Sequence, residues 1–148
     1  MTRSMTWSLR GALVLVVLAA ASAAVAADPA PAAAPLTVTA KLVEIPGKMP
    51  SDDLYDYAYV MRYEVMGGPM DKQSILVAHY KPRQPRSKIK DQMKDHVAGK
   101  LRSFKQGDVH KMELTPDLKK IWKGAVVDEF AATDRKSIRY WALVTDPA

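Results

Sequence analysis

Hydrophobic and polar residues alternate with a period of two along several stretches of the chain, which is the pattern of half-buried β-strands. In residues 36–45, Leu36, Val38, Ala40 and Leu42 share one face. Residues 55–65 form a second such stretch, and a Gly-Gly-Pro turn at 67–69 separates it from a third over residues 74–80, which favours an antiparallel hairpin. Further strands are predicted over residues 109–115, 125–130 and 137–145.

The period changes over residues 86–104. Ile89, Met93, Val97 and Leu101 recur every four residues, and Phe104 follows three further on. This spacing predicts one short amphipathic helix, with Ser87 as its N-cap and Gly99 near its end. A second helical turn is predicted over residues 118–123, capped by Pro116 and Asp117 and ended by Gly124.

The order of these elements predicts a fold class that is mainly β with one short helix. Antiparallel pairing with one inserted helix fits a small OB-like five-stranded Greek-key barrel, the type named after its binding of oligonucleotides and oligosaccharides. A two-layer α+β sheet is the alternative, and periodicity alone does not separate the two.

The first 27 residues have the layout of a secretory signal peptide. Arg3 and Arg10 form a positive start, residues 12–18 are apolar, and Val25, Ala26 and Ala27 offer small residues for cleavage after Ala27. An uncleaved membrane anchor is the alternative, but the uncharged run 11–27 is short for a membrane span. The Pro/Ala-rich residues 28–35 then form a tether to a single β-rich domain, residues 36–148, and we expect a periplasmic or secreted protein.

The composition excludes several kinds of chemistry. The 148 residues contain no cysteine, which excludes disulfides, Cys-ligated metals, a thiol nucleophile and a Cys-linked lipid anchor. The length allows one domain. No dinucleotide-binding or P-loop pattern is present, so no cofactor is expected.

Positive charge is concentrated in residues 81–105, which we call the basic segment. It holds nine Lys and Arg against two Asp, a net charge of +7, whereas the chain after cleavage would carry 20 basic and 16 acidic residues, or +4. Such a segment attracts polyanions. The expected partner is an anionic polysaccharide or an envelope protein, since export makes nucleic acid less available. The candidate contacts are Lys88, Lys90, Lys94 and Arg102, although a solvated helix face explains the same pattern.

Aromatic residues offer a second binding signal. Tyr55, Tyr57 and Tyr59 share one face of the second strand, and Trp141 lies in the last strand. These rings are candidates for stacking on sugars. The alternative, which the sequence favours, is that the tyrosine face is core, because the opposite face of this strand carries Asp56, Arg62 and Glu64 and is expected to be solvated.

Two histidines are the candidates for chemistry. His79 and His110 each share a strand face with apolar residues, and they would meet if their strands were neighbours. With the acidic loop 52–56 they would form the site of a small envelope hydrolase or transferase. Half-buried structural histidines are the favoured alternative, and no metal is assigned because zinc in a catalytic site has three protein ligands and no third ligand is evident.

Short segments of the chain resemble known exported domains. Residues 59–65, residues 75–79 and the Gly107-Asp108 turn leading into Met112-Glu113-Leu114 resemble a small β-domain that accompanies bacterial SGNH-type acyltransferase-like proteins of the alginate-acetylation kind. The same pattern is similar to OB-like barrels of the netrin and tissue-inhibitor type. The resemblance covers residues 36–146 and implies an envelope accessory or binding module. The acyltransferase domain has no counterpart in these residues, so no catalytic residue is implied.

These observations together predict an exported, non-catalytic binding or accessory module for a cell-envelope polysaccharide or protein partner. The first alternative is a small envelope hydrolase or transferase that uses His79 and His110. The second is a structural or inhibitory protein that pairs with its partner through a β-edge.

Overall fold

The computed structural model describes residues 34–51 and 54–148. The predicted signal peptide, residues 28–33 of the tether and the pair 52–53 lie outside the described residues. Among the helices in the described ranges, none is both long enough and apolar enough to cross a membrane.

The described chain is mainly β-structure with one short α-helix, as the alternation of residues predicts. In chain order the elements are β1 (Leu36–Glu44), β2 (Tyr57–Val65), β3 (Ser74–Tyr80), a 3₁₀ turn (Arg86–Lys88), β4 (Val109–Thr115), α1 (Leu118–Ile121), β5 (Ala125–Val127) and β6 (Arg139–Pro147). The predicted third and fourth strands coincide with β3 and β4. The other predicted strands differ from the observed ones by one to three residues at an end.

The six strands form one mixed sheet in the order β1-β4-β6-β3-β2-β5. β1 also pairs with β2, so the pairings of β1, β2, β3, β6 and β4 run in a ring. The hairpin of β2 and β3 is antiparallel, as predicted, whereas β3 with β6 and β2 with β5 are parallel. The short β5 pairs with residues 57–59 of β2, beyond the residues 62–65 that pair with β1. β5 and β1 therefore pair with different parts of the same edge of β2.

The two faces of the sheet bury two separate cores. The first core contains the predicted inward face of β1 (Val38, Ala40 and Leu42) together with alternate residues of β2 and β4. The second core lies on the opposite face, where Ala58 and Val60 of β2 are fully buried. The prediction that this opposite face is solvated is therefore wrong for the first half of β2. Residues 89–97, α1 and Phe130 cover it.

The predicted amphipathic helix over residues 86–104 is also wrong. Only the 3₁₀ turn is helical, and the one α-helix of the described residues is α1, close to the predicted turn at 118–123. The apolar positions are nevertheless buried: Ile89, Met93, Val97, Leu101 and Phe104 are each at most 8% exposed. The four-residue spacing thus identified the buried side chains correctly, but the helical backbone that it predicted is not formed.

Hydrogen bonds to distant residues replace the helical ones in this segment. The Ala98 N–H donates to the Leu143 carbonyl at 2.8 Å, and the Thr145 N–H donates to the Ala98 carbonyl at 3.0 Å, so residue 98 is bound to β6. The Asp91 carboxylate accepts the Met93 N–H at 3.0 Å, the kind of local bond that competes with a helix. The backbone N–H and C=O groups of the segment therefore find hydrogen-bond partners in β6 and in local turns.

Gly99 is required where this segment crosses β6. Its φ is +124°, and a Cβ atom there would lie 2.0 Å from the Thr145 carbonyl oxygen. No side chain fits at that distance, so the contact between the basic segment and β6 depends on glycine.

Candidate functional site

Three cations of the basic segment turn back toward the protein and fix its path. The Lys81 Nζ lies 2.6 Å from an Asp56 carboxylate oxygen. Arg83 donates to the carbonyls of Met49 and Pro50 at 2.7 and 2.9 Å. Arg86 is buried, donates to the carbonyls of Lys81 and Gln84, and holds its guanidinium 5.2 Å from the centre of the Phe104 ring. The start of the segment is therefore anchored by its own positive charges.

The other six cations of the segment face solvent. They comprise the four that the sequence singled out, Lys88, Lys90, Lys94 and Arg102, together with Lys100 and Lys105. None of the six forms a salt bridge with a carboxylate in residues 34–51 or 54–148. A groove of about 430 Å³ lies along the segment, and Lys90 and Lys94 are among its lining residues. Since exposed charges act over about 8–10 Å at moderate ionic strength, neighbouring cations on one short segment reinforce one another at its surface.

The aromatic stacking candidates are in the interior, with one exception. Tyr57, Tyr59 and Trp141 are 0% exposed, and only Tyr55 is exposed. The hydroxyl groups of Tyr57 and Tyr59 donate to the Pro50 and Pro46 carbonyls, and the Trp141 indole N–H donates to the His96 carbonyl at 2.9 Å. The tyrosine face is core, because its rings pack in the first core with their hydroxyls satisfied by loop carbonyls. These three rings therefore offer no surface for a ligand to stack on.

The two histidines meet, but through a third residue and inside the core. β3 and β4 are separated by β6, yet the Tyr63 hydroxyl oxygen lies 2.9 Å from His79 Nε2 and 3.2 Å from His110 Nδ1. We call Tyr63, His79 and His110 the buried trio; all three are 0% exposed. The hydroxyl has one hydrogen to donate, so it donates to one imidazole and accepts an N–H from the other. The imidazole that accepts the hydroxyl hydrogen must therefore be neutral.

Burial keeps the imidazoles neutral. Loss of hydration lowers the pKa of His79 well below its ordinary value, and the nearby Arg86 and His110 lower it further. Burial also lowers the pKa of His110. Their second ring nitrogens, His79 Nδ1 and His110 Nε2, have no hydrogen-bond partner within the part of the chain that the structure describes.

The buried trio is enclosed within the core. Neither imidazole reaches solvent, and Phe104 packs against both rings, with its centroid 4.4 Å from that of His79. Of the acidic loop 52–56, the described Asp56 pairs with Lys81 instead. The described ranges also contain no group of three His, Cys, Asp or Glu side chains placed to hold a metal ion.

A groove that sequence reasoning missed lies between α1 and residues 128–139. Its volume is about 790 Å³, and a neighbouring groove of about 460 Å³ extends it along Trp122 to Val126. The sequence signals for it were an isoleucine, Ile138, at the end of a polar turn and a tryptophan beside lysines, Trp122. Both residues are common in cores, so neither signal points to a surface without the structure.

Comparison of the chain with family models, with curated proteins and with solved structures found no match. The features that bear on function are therefore the exposed charge of the basic segment and the groove beside α1.

Proposed function

We propose that the protein is an exported, non-catalytic binding module built on a small OB-like barrel, and that its ligand is an anionic polysaccharide of the cell envelope. The pairings of β1, β2, β3, β6 and β4 form a closed ring, and this supports the barrel because a barrel is a sheet whose first and last strands pair with each other. The resemblance to an accessory domain of the alginate-acetylation kind belongs to the same proposal.

One observation carries the proposed ligand: the six exposed cations on an anchored segment. The apolar residues of the segment are buried in the two cores, so these six cations are left on the outer side. Fixing the backbone in advance lowers the entropy cost of binding a charged chain. Positive charge held in this way suits a repeating polyanion better than a neutral ligand.

The cover over the second core favours the basic segment as the binding surface. OB-fold proteins bind oligonucleotides and oligosaccharides on the face of their second and third strands. Here the outward residues of β2 and β3, such as Val60 and Ala78, are fully buried in the second core, to which the basic segment contributes Met93. A ligand is therefore expected on the cover itself, where the lysines lie, and the predicted export favours a polysaccharide over nucleic acid.

The test is retention of the protein on immobilised polygalacturonate in a salt gradient. We compare the wild type with the triple variant Lys88→Glu, Lys90→Glu, Lys94→Glu and with the matched control Lys48→Glu, Lys72→Glu, Lys111→Glu. All six residues are exposed, and both variants change the net charge equally. The wild type should elute at the highest salt, the control somewhat earlier, and the basic-segment variant clearly before the control.

Two results would count against the proposal. Equal elution of the two variants would mean that only net charge matters and that the basic segment is not a site. A wild type that passes through the column unretained would exclude the polyanion and leave an envelope protein as the ligand to seek.

A further inference from the structure

The groove between α1 and residues 128–139 has a wall that is built before any ligand arrives. Arg139 Nε donates to Asp128 at 2.8 Å, and its Nη1 donates to the Ser137 carbonyl at 2.7 Å. The side chains of Arg139 and Asp128 are 16% and 17% exposed, so the pair is largely shielded from water. The Asp134 carboxylate accepts the backbone N–H groups of Lys136 and Ser137. These bonds hold the loop in one shape and neutralise its inner charges.

The surface of the groove is largely apolar and accessible. Leu118, Ala131 and Ala132 line it together with Ile138, which is 53% exposed. Its extension adds the Trp122 indole and Val126, which is 38% exposed. Apolar side chains that remain exposed in a preformed concave surface are typical of ligand sites.

Among the residues that line the groove and its extension, the charged side chains without a salt bridge are all positive. Arg139 is paired with Asp128, and Lys120 lies 3.7 Å from Asp117. Lys119, Lys123 and Arg135 are exposed and form no salt bridge with any carboxylate that the structure describes. The carboxylates that line the groove, Asp117 and Asp128, are both paired with cations, and the unpaired carboxylates of the same loop, Glu129 and Asp134, do not line it. An apolar surface whose unpaired lining charges are cations suits a ligand that has one apolar face and a negative charge.

The groove also adjoins the basic segment. Trp122 stacks on Trp141 at 6.5 Å between ring centres, and the Trp141 indole donates to the carbonyl of His96 in that segment. The groove and the basic segment are therefore connected through one packed pair of tryptophans.

We propose that this groove is a second binding site, which takes a single carboxylate-bearing sugar unit of the acidic polysaccharide. The C–H face of the sugar ring rests on Ile138 and its apolar neighbours, and the carboxylate faces Lys119 and Arg135. The inference rests on the proposed function and deepens it: the basic segment attracts the polymer through charge, and the groove recognises its sugar unit.

A short ligand separates the two surfaces. The probes are a galacturonate trimer, a neutral maltotriose of the same length, and long polygalacturonate, with binding measured by isothermal titration calorimetry. The variants are Lys119→Glu with Arg135→Glu, and separately Ile138→Ser, which removes the apolar contact without changing charge. The matched control is Lys48→Glu with Lys72→Glu; these lysines are exposed, lie outside residues 116–139 and do not line the groove.

We expect the wild type to bind the galacturonate trimer and not maltotriose. Each groove variant should weaken binding of the trimer by about tenfold or more. The control should stay within about twofold of the wild type. The basic-segment triple variant should weaken binding of the long polymer while it still binds the trimer. Thermal unfolding of each variant verifies that it is folded.

Other results would overturn the inference in distinguishable ways. A wild type that binds long polygalacturonate but not the trimer, or whose trimer binding is unchanged in folded groove variants, removes the groove site and leaves the proposed function standing. Equal binding of maltotriose removes the role of the carboxylate. Binding of none of the three probes removes the proposed function together with the groove site.

Discussion

Removal of the Tyr63 hydroxyl tests the buried trio most directly. This hydroxyl lies within hydrogen-bond distance of both buried histidines, so Tyr63→Phe removes the partner of two imidazole nitrogens at once. Because all three residues are 0% exposed, water does not replace the lost bonds without opening the core. The change therefore leaves an apolar ring of nearly the same shape beside two unsatisfied polar atoms.

The size of the effect follows from that count. Leaving one buried polar group unsatisfied costs about 1–3 kcal/mol. Two such groups, less the benefit of no longer burying a hydroxyl, give an expected loss of about 2–4 kcal/mol in the free energy of unfolding. A domain of ordinary stability, about 5–15 kcal/mol, remains folded but measurably weakened.

Urea unfolding followed by tryptophan fluorescence measures this loss, with Tyr59→Phe as the control. Tyr59 is equally buried and in the same core, but its hydroxyl donates to one carbonyl, that of Pro46. The control should lose about 1 kcal/mol. If Tyr63→Phe loses no more than Tyr59→Phe, the two histidines do not depend on the hydroxyl, and the reasoning about the trio is refuted.

Two further predictions concern stability. Since burial lowers the pKa of His79 and His110 in the folded state, the unfolded state binds more protons below pH 6.5, and the free energy of unfolding should fall on acidification. The fall is about 1.4 kcal/mol per pH unit for each imidazole that stays neutral. Urea unfolding between neutral and mildly acidic pH measures it, and a slope that His79→Gln does not reduce would contradict the assignment. Gly99→Ala should lower the free energy of unfolding by at least about 2 kcal/mol more than Gly107→Ala does. Both glycines have a positive φ, but of the two only residue 99 would place a Cβ atom against backbone. Equal melting temperatures of the two variants would contradict this.

Local alternation was sufficient to predict the strands. β1, β3 and β4 each bury every second residue in the first core, so the two-residue period marks both their extent and their inward face. The opposite face of β2 was misjudged, because Arg62 and Glu64 suggested solvent at one end while Ala58 and Val60 are covered at the other. What covers them is distant in sequence, and no local pattern reports it.

The helix prediction failed for a related reason. The spacing of Ile89, Met93 and Val97 is that of a helix face, and in the structure they do share one apolar contact surface. However, the backbone around residue 98 finds hydrogen-bond partners in β6. A helix in this segment would lose those hydrogen bonds to β6. The sequence of the segment alone does not show that β6 offers these partners.

The candidate site was predicted in part. Lys88, Lys90, Lys94 and Arg102 are exposed, and exposure of charged residues is what composition alone leads one to expect. The trio was not predictable, because it joins three strands through a tyrosine that looked like ordinary core. The groove was missed because its wall depends on the Arg139–Asp128 pair, which connects β6 with residues just after β5.

Amide chemical-shift mapping during a titration with oligogalacturonate tests most directly how the protein works. If it binds an acidic polysaccharide by contact, the shifts should be concentrated in residues 88–105 and around α1 and residues 131–138, and the signals of the buried trio should stay nearly unchanged. Shifts confined to the exposed faces of β1 and β4, or large shifts at His79 and His110, would contradict a binding module that uses the basic segment and the groove.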